Sequence, residues 1–358
     1  MKLAILLQHY FPYGGLQRDA LRLAEAAQEA GHQPTVITAT WDGPKPNHLD
    51  LQILNSGGTK NHIKSKRFAA AAQAIFPNYD TSICFSRVPG SAFHFCGDPC
   101  TKEKIITNKP KIAQLLPRYR FLLENEASIF GPSQNTHLFF LAQSEIPPYH
   151  KHYNLDPSRY TVLPPWLKKT TDSDLPPPEV VAQILQKSPR AQILLFVGSD
   201  FHRKGLDLLI QSLPHAKTPD LHLLVCGQDN ADSLQKTAQQ NGSQVQFLGP
   251  RDDIPALMAH AHLLVHPARQ ETAGMVLTEA LTSELPVLCT ENCGYAEHVK
   301  SAGCLLLPTN PSLESIAKNI DQSLASREET LPLIQSWTNA PSRYQTAQIM
   351  LQKMEASL

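Results

Sequence analysis

The stretch 263–289, LLVHPARQETAGMVLTEALTSELPVLC, constrains the fold of this chain more than any other. Leu263–His266 is a short apolar run stopped by Pro267, the pattern of a buried strand. Pro267–Ala273 reads as a loop at the carboxyl end of that strand. Gly274–Ser283 reads as a helix, with Val276, Leu277, Ala280 and Leu281 on one apolar face. Leu285–Cys289 reads as the next strand. Glu271 falls in the loop, and Glu279 falls about two turns into the expected helix. A carboxylate accepts two hydrogen bonds at once, which suits vicinal hydroxyls. The N–H groups of Ala273, Gly274 and Met275 would open the helix with the positive end of its dipole, and Gly274 would let a ligand approach the backbone. On these residues alone two readings stand. One is a pocket with acceptors for hydroxyls and donors for a phosphate. The other is a Glu that complements a helix dipole and a second Glu on an exposed face.

The 358 residues set an expectation of two domains. Thirty-two basic and thirty-two acidic residues cancel, so no global field recruits nucleic acid, and any basic face must be local. No apolar run approaches the roughly 20 residues of a membrane span. The start MKLAILLQHYFPYGG has too short an apolar run for a signal peptide, so a cytoplasmic protein is expected. Seven cysteines argue against a disulfide framework. The pairs Cys96-x3-Cys100 and Cys289-x3-Cys293 have a spacing seen in zinc sites, but strand-end thiols are the preferred reading.

In chain order, Leu3–Gln8 is a strand, Phe11–Gly15 a glycine-bearing loop, Leu16–Ala30 a helix and Thr35–Thr38 a second strand. Gly14 and Gly15 would present free N–H groups to a phosphate or a sugar hydroxyl. No G-x-G-x-x-G fingerprint is present, which disfavours a classical dehydrogenase. Asp19 lies in the expected first turn of the helix, where it would serve the dipole or a catalytic role. Residues 40–100 read as short strands and polar loops, with strands at Thr81–Phe85 and Ala92–Cys96. Asp98 then sits at a strand's carboxyl end, where such sheets place catalytic groups, though Asp-Pro also makes turns. Residues 101–120 carry Lys102, Lys104, Lys109, Lys111, Arg118 and Arg120 against Glu103, interleaved with Ile105, Ile106, Ile112, Leu115 and Leu116. This suits an anionic membrane surface or a phosphorylated acceptor, or else a solvated basic face. Ala127–Phe130 reads as a strand, a helix follows through Leu141, and Tyr160–Leu163 is the last strand of the first block.

Six prolines between 164 and 189 mark a linker. A second strand–helix series begins at Ile193. Its first loop, Gly198–Gly205, carries Arg203 and Lys204 beside a helix N-terminus, the combination a leaving pyrophosphate needs. Strands Leu221–Cys226 and Val245–Leu248 follow, and the loop with Arg251 would flank a nucleotide base through backbone groups. The loop Asn292-Cys293-Gly294-Tyr295 would line the same region.

Three strings carry a resemblance. E-T-A-G-M-V-L-T-E-A-L resembles the E-x7-E signature of retaining glycosyltransferase family 4, and Arg203-Lys204 matches that family's diphosphate-gripping pair. H-Y-F-P-Y-G-G-L-Q-R-D resembles the opening of the lipopolysaccharide core α-1,3-glucosyltransferases within it. The resemblance implies an α/β GT-B fold, two doubly wound Rossmann-like domains facing a central cleft. It divides the chain into an acceptor-binding domain at 1–166, to which a helix near 340–358 crosses back, and a donor-binding domain at 167–339. It implies retaining transfer of glucose from UDP-glucose to an inner-core heptose, without a cofactor; with Arg203 and Lys204 at the leaving group and no D-x-D metal motif expected, no divalent metal is needed there. Catalytic roles would fall to Asp19, Asp98 and Glu271. Donor binding would fall to Gly14, Gly15, Arg203, Lys204, Arg251, Ala273, Gly274, Met275 and Glu279. Residues 102–120 would hold the protein to the inner face of the inner membrane. Another nucleotide sugar or surface-glycan acceptor, and a non-catalytic sugar-nucleotide binder, remain as alternatives.

Overall fold

A computed structural model describes residues 1–358 except 13, 55, 56, 59 and 168–174, and except the side chains of 111 and 113. The chain divides into two compact units, Met1–Trp166 with Gln345–Leu358, and Leu167–Tyr344.

Unit 1 runs β1 (Lys2–Leu6), β2 (His9–Tyr10), α1 (Gly15–Glu29), β3 (Gln33–Thr38), β4 (Thr40–Trp41), β5 (Asp50–Ile53), α2 (Asn61–Ile75), β6 (Thr81–Cys84), β7 (Phe93–Cys96), α3 (Thr101–Asn108), α4 (Pro117–Phe130), β8 (His137–Phe140), α5 (Ile146–Tyr153) and β9 (Tyr160–Val162). Seven of its strands form one parallel sheet in the order β5-β3-β1-β6-β7-β8-β9. Two apolar clusters cover one face of it, one around Phe130, Phe140 and Tyr149, the other around Leu6, Ile37 and Phe68, because the register sets Leu6, Ile37, Cys84, Leu138 and Phe140 on the same side.

Unit 2 runs α6 (Glu179–Lys187), β10 (Gln192–Val197), α7 (Leu206–Ser212), β11 (Leu221–Cys226), α8 (Asp232–Gln240), β12 (Gln244–Gly249), α9 (Ile254–His260), β13 (Leu263–His266), α10 (Met275–Thr282), β14 (Val287–Thr290), α11 (Ala296–Ser301), β15 (Leu306–Leu307), α12 (Leu313–Ala325) and α13 (Arg327–Thr338). Its parallel sheet has the order β12-β11-β10-β13-β14-β15. This is the doubly wound order, in which the winding reverses between β10 and β13 and ligands bind beyond the carboxyl ends of those two strands. The strands hold continuous apolar runs such as Ile193–Phe196, as strands covered on both faces must. After unit 2, α14 (Thr346–Glu355) packs on α1 in unit 1, burying Met350, Leu351 and Met354.

Two expectations are corrected. Ala127–Phe130 is the end of α4, not a strand, and the expected helix through Leu141 is strand β8. Pro117 opens α4 at a position where its missing N–H costs nothing. Glu126, Ile129 and Phe130 are buried at the i, i+3, i+4 spacing of one helix face. Leu138, Phe139 and Phe140 are all buried in β8, and a run that short has no period to distinguish helix from strand. Residues 40–100 also contain the fifteen-residue helix α2, favoured by its alanine run Ala69–Ala72. The linker expectation falls in part on 168–174, outside the described residues.

Candidate functional site

The switch point of unit 2 gathers charged side chains on one carboxylate. Glu271 lies in the loop after β13, its side chain only 13% exposed. Its Oε2 lies 3.4 Å from Lys204 Nζ, 3.7 Å from Arg203 Nη1 and 3.3 Å from His266 Nε2. None of these contacts falls on Oε1. Burial works to raise the Glu271 pKa. The hydrogen bond from His266 and the charges of Lys204 and Arg203 outweigh it and hold the carboxyl at about 2. The site therefore offers an ionised acceptor beside two cations.

Backbone chemistry sets this geometry. The loop after β10 turns through Gly198 (φ 147°) and Asp200 (φ 60°), and Gly205 (φ 76°) caps α7. A Cβ on Gly198 would lie 2.5 Å from Lys204 Nζ, so glycine makes room for the ammonium to fold back. A Cβ on Gly205 would lie 2.0 Å from the Pro267 carbonyl oxygen, so the two loops touch backbone to backbone there. Arg203 is braced by Nε donating to Asp200 Oδ2 at 2.7 Å and Nη1 donating to the Gln270 carbonyl at 2.8 Å. The loop after β14 braces the carboxylate's own loop. Gly294 N donates to Glu271 O at 3.1 Å, and Tyr295 N donates to Ala273 O at 2.8 Å.

Helix α10 starts at Met275, with Gly274 as its N-cap at φ 85°. Glu279 is thus the fifth helical residue, just over one turn in rather than two. Met275 and Glu279 are half-buried while Val276, Leu277, Thr278 and Ala280 are buried. These two therefore share the one accessible stripe at i, i+4. Ala273 and Gly274 are buried against the loop.

Arg251 stands apart from this cluster. It lies beyond the edge strand β12, and its guanidinium is held by Asp253 through Nε at 2.7 Å. In unit 1, Gly14 is the N-cap of α1 and Gly15 its first residue, where a Cβ would meet no neighbour among the described residues. Asp19 is the fifth residue of α1, not in its first turn, so the dipole reading is lost. Its carboxylate is buried and lies 3.4 Å from Arg22 Nη1. Asp98 is exposed at the carboxyl end of β7, and its carbonyl accepts from Tyr149 Oη at 3.1 Å.

Sequence reasoning missed two buried polar centres. His266 ends β13 and had been counted only as strand. Glu126, fully buried in α4, accepts from Thr101 N at 2.6 Å, Lys102 N at 2.8 Å and Tyr153 Oη at 2.7 Å, and pairs with Arg87 at 3.1 Å. It thereby caps the basic helix α3 from another element. The cysteine pairs are buried free thiols, and burial pushes Cys100 up to about 11. The sequence does hold one Asp-x-Asp string, Asp172-Ser173-Asp174, outside the described residues. The expectation of metal independence therefore rests on Arg203 and Lys204.

The chain has recognisable relatives. Residues 179–338 match the family model of glycosyl transferases group 1. The chain is 34% identical over 97% of its length to the lipopolysaccharide glucosyltransferase WaaG of Escherichia coli K12, covering 95% of that protein. It superposes on a crystal structure of WaaG with a TM-score of 0.85 at 31% identity, covering 98% of this chain and 99% of that one. An Anabaena protein, HepE, solved with UDP and glucose, shares the fold at a TM-score of 0.72 and 17% identity, with both chains fully covered.

Proposed function

Since the chain belongs to glycosyltransferase family 4 and has the GT-B fold, we propose that it moves glucose from UDP-glucose to an inner-core heptose of lipopolysaccharide, with retention at the anomeric carbon. The observation that carries this reading is the Glu271 cluster. A buried carboxylate is held ionised with its three ionic contacts on one oxygen and none on the other among the described residues, beside two cations at the point where a doubly wound sheet takes its ligand. Lys204 and Arg203 neutralise the diphosphate as the bond to the anomeric carbon breaks. Glu271 Oε1 accepts from donor-sugar hydroxyls, and Glu279 accepts from the ribose diol on the accessible stripe it shares with Met275. Ala273, Gly274 and Met275 lend backbone donors, and the Arg251 loop meets the base. In unit 1, Gly14 and Gly15 contact phosphate or sugar, while Asp19 and Asp98 serve the acceptor side.

Retention without a dedicated nucleophile fits same-face attack, with the leaving phosphate taking the acceptor's proton. The two cations do the work a divalent metal would otherwise do at the leaving group. Exposed Ile112, Leu115 and Leu116, close in sequence to the lysines of α3, supply a peripheral contact with the inner face of the inner membrane. Among the described residues no helix is long and apolar enough to cross a membrane.

The test is transfer from radiolabelled UDP-glucose, UDP-galactose and UDP-N-acetylglucosamine onto lipopolysaccharide truncated at the inner-core heptose, with chelator present. Glucose transfer alone is the expected result. Transfer of another sugar moves the donor assignment and keeps the Glu271 pocket. UDP binding without transfer from any donor overturns the assigned acceptor.

A further inference from the structure

His266 is fully buried at the end of β13, stacked on Phe196 with ring centroids 5.9 Å apart. Its Nε2 lies 3.3 Å from Glu271 Oε2, and its Nδ1 is buried with no hydrogen-bond partner among the described residues. These facts assign the tautomer. The carboxylate can only accept, so Nε2 carries the proton and Nδ1 is a bare lone pair. A buried imidazole with an unsatisfied acceptor is a poor choice for packing alone, because an orphaned buried polar atom is destabilising. It is a good choice for holding a carboxylate without neutralising it.

We propose that His266 is a positioning residue of the donor site, whose Nε2–H pins Glu271 by Oε2 and leaves Oε1 as the oxygen that meets the sugar. This rests on the donor-site reading of Glu271 given above. Lys204 and Arg203 pull on the same oxygen, but on the donor-site reading both are claimed by the diphosphate when donor is bound. Arg203 is also shared with Asp200. The imidazole, fixed by the strand and by Phe196, is the contact that stays with Glu271 through the cycle. Burial, followed by the nearby Lys204 charge, keeps its pKa below the usual histidine value against the pull of Glu271, so it acts as a neutral donor.

The experiment compares His266→Phe with His266→Gln in the full chain. Phenylalanine keeps the stacking and deletes both ring nitrogens; glutamine restores an N–H at similar reach. For His266→Phe we expect donor kcat/KM to fall roughly 10- to 100-fold, the range for losing a hydrogen bond to a charged group. Most of the loss falls in KM. Affinity for UDP alone, which lacks the sugar, stays within about twofold, and the melting temperature moves little, because removing the unsatisfied Nδ1 offsets the lost bond to Glu271. The His266→Gln variant recovers most of the loss, and His266→Phe adds nothing on a Glu271→Ala background. The Glu271 carboxyl, followed by NMR, titrates at higher pH in His266→Phe; the other charged or titratable neighbours, Lys204, Arg203, Asp200 and Cys293, are unchanged. Wild-type transfer in His266→Phe, or parallel losses of UDP affinity and stability, would overturn the proposal. If the wild-type chain transfers no sugar, the donor-site reading fails by itself. The Glu271 titration still decides this point, since an unmoved carboxyl refutes the pinning.

Discussion

Glu271 carries more of the molecule's chemistry than any other side chain described. Its carboxyl is held at about 2 against an ordinary value near 4.5, despite burial, by His266, Lys204 and Arg203. A carboxyl whose folded pKa is depressed contributes stability above its unfolded pKa and loses it as pH falls through the folded one. The window here runs from pH 4.5 down to about 2. Across it the chain sheds on the order of 3 kcal/mol through this one group. Glu271→Gln is therefore expected to flatten that part of the acid-stability curve and, separately, to lower donor turnover roughly 10- to 100-fold by removing a charged acceptor. Acid unfolding monitored by circular dichroism and transfer rates at neutral pH check the two halves. A Gln variant with unchanged turnover and intact folding sinks the assigned role. Much of this site was legible before the fold was known. The E-x7-E spacing named Glu271 and Glu279, and the loop after the first strand of unit 2 named Arg203 and Lys204. His266 was not legible because its signal is burial, and a histidine closing an apolar run reads in sequence as a strand end.

Elements account for both the successes and the errors of sequence reading. Strands with five or six apolar positions, such as β10 and β11, announce themselves. The four-residue run of β8 and the last turn of α4 do not, because each is shorter than the period that would identify it. Glu126 was invisible for a related reason. Nothing local distinguishes a glutamate that caps a distant helix from one on a solvated face. That cap matters for the proposed membrane contact, since it fixes the N-terminus of α3 and with it Lys102 and Lys104. Beyond α3, Ile112, Leu115 and Leu116 are 73%, 72% and 53% exposed, more than isolated surface residues of a soluble protein need explain. Replacing all three by serine is expected to weaken sedimentation with anionic vesicles roughly 10- to 100-fold, a partial share of the burial free energy of three aliphatic side chains. Neutral vesicles should bind weakly throughout, and salt should weaken the wild type. Melting temperature should change little, because the three side chains are largely exposed. Equal binding by wild type and variant would make the stretch an ordinary solvated face.

At the scale of the whole molecule, the chain's path makes unit 1 depend on residues that come after unit 2. Helix α14 covers α1, with Met350 and Met354 fully buried and Thr346 Oγ1 donating to the Pro164 carbonyl at 3.0 Å. His32 pairs with Glu355 at 3.0 Å on the same face. Each of the buried side chains contributes about 1.5–3 kcal/mol, so α14 supplies several kcal/mol against the 5–15 kcal/mol typical of a whole domain. During synthesis unit 2 can complete its sheet while unit 1 still lacks a helix, which reverses the usual order of domain completion. Deleting 345–358 is therefore expected to leave α7, α10 and the Glu271 cluster protected while α1 loses protection in hydrogen exchange, since local stability follows local burial. UDP affinity, assigned to unit 2, should survive the deletion; sugar transfer should not. Full protection of α1 in the truncated chain would show that unit 1 closes without α14. Loss of protection in α7 as well would show that the two units do not unfold independently. Only the expected pattern, unit 1 loosened and unit 2 intact, fits a fold whose first unit is finished by the helix that follows its second.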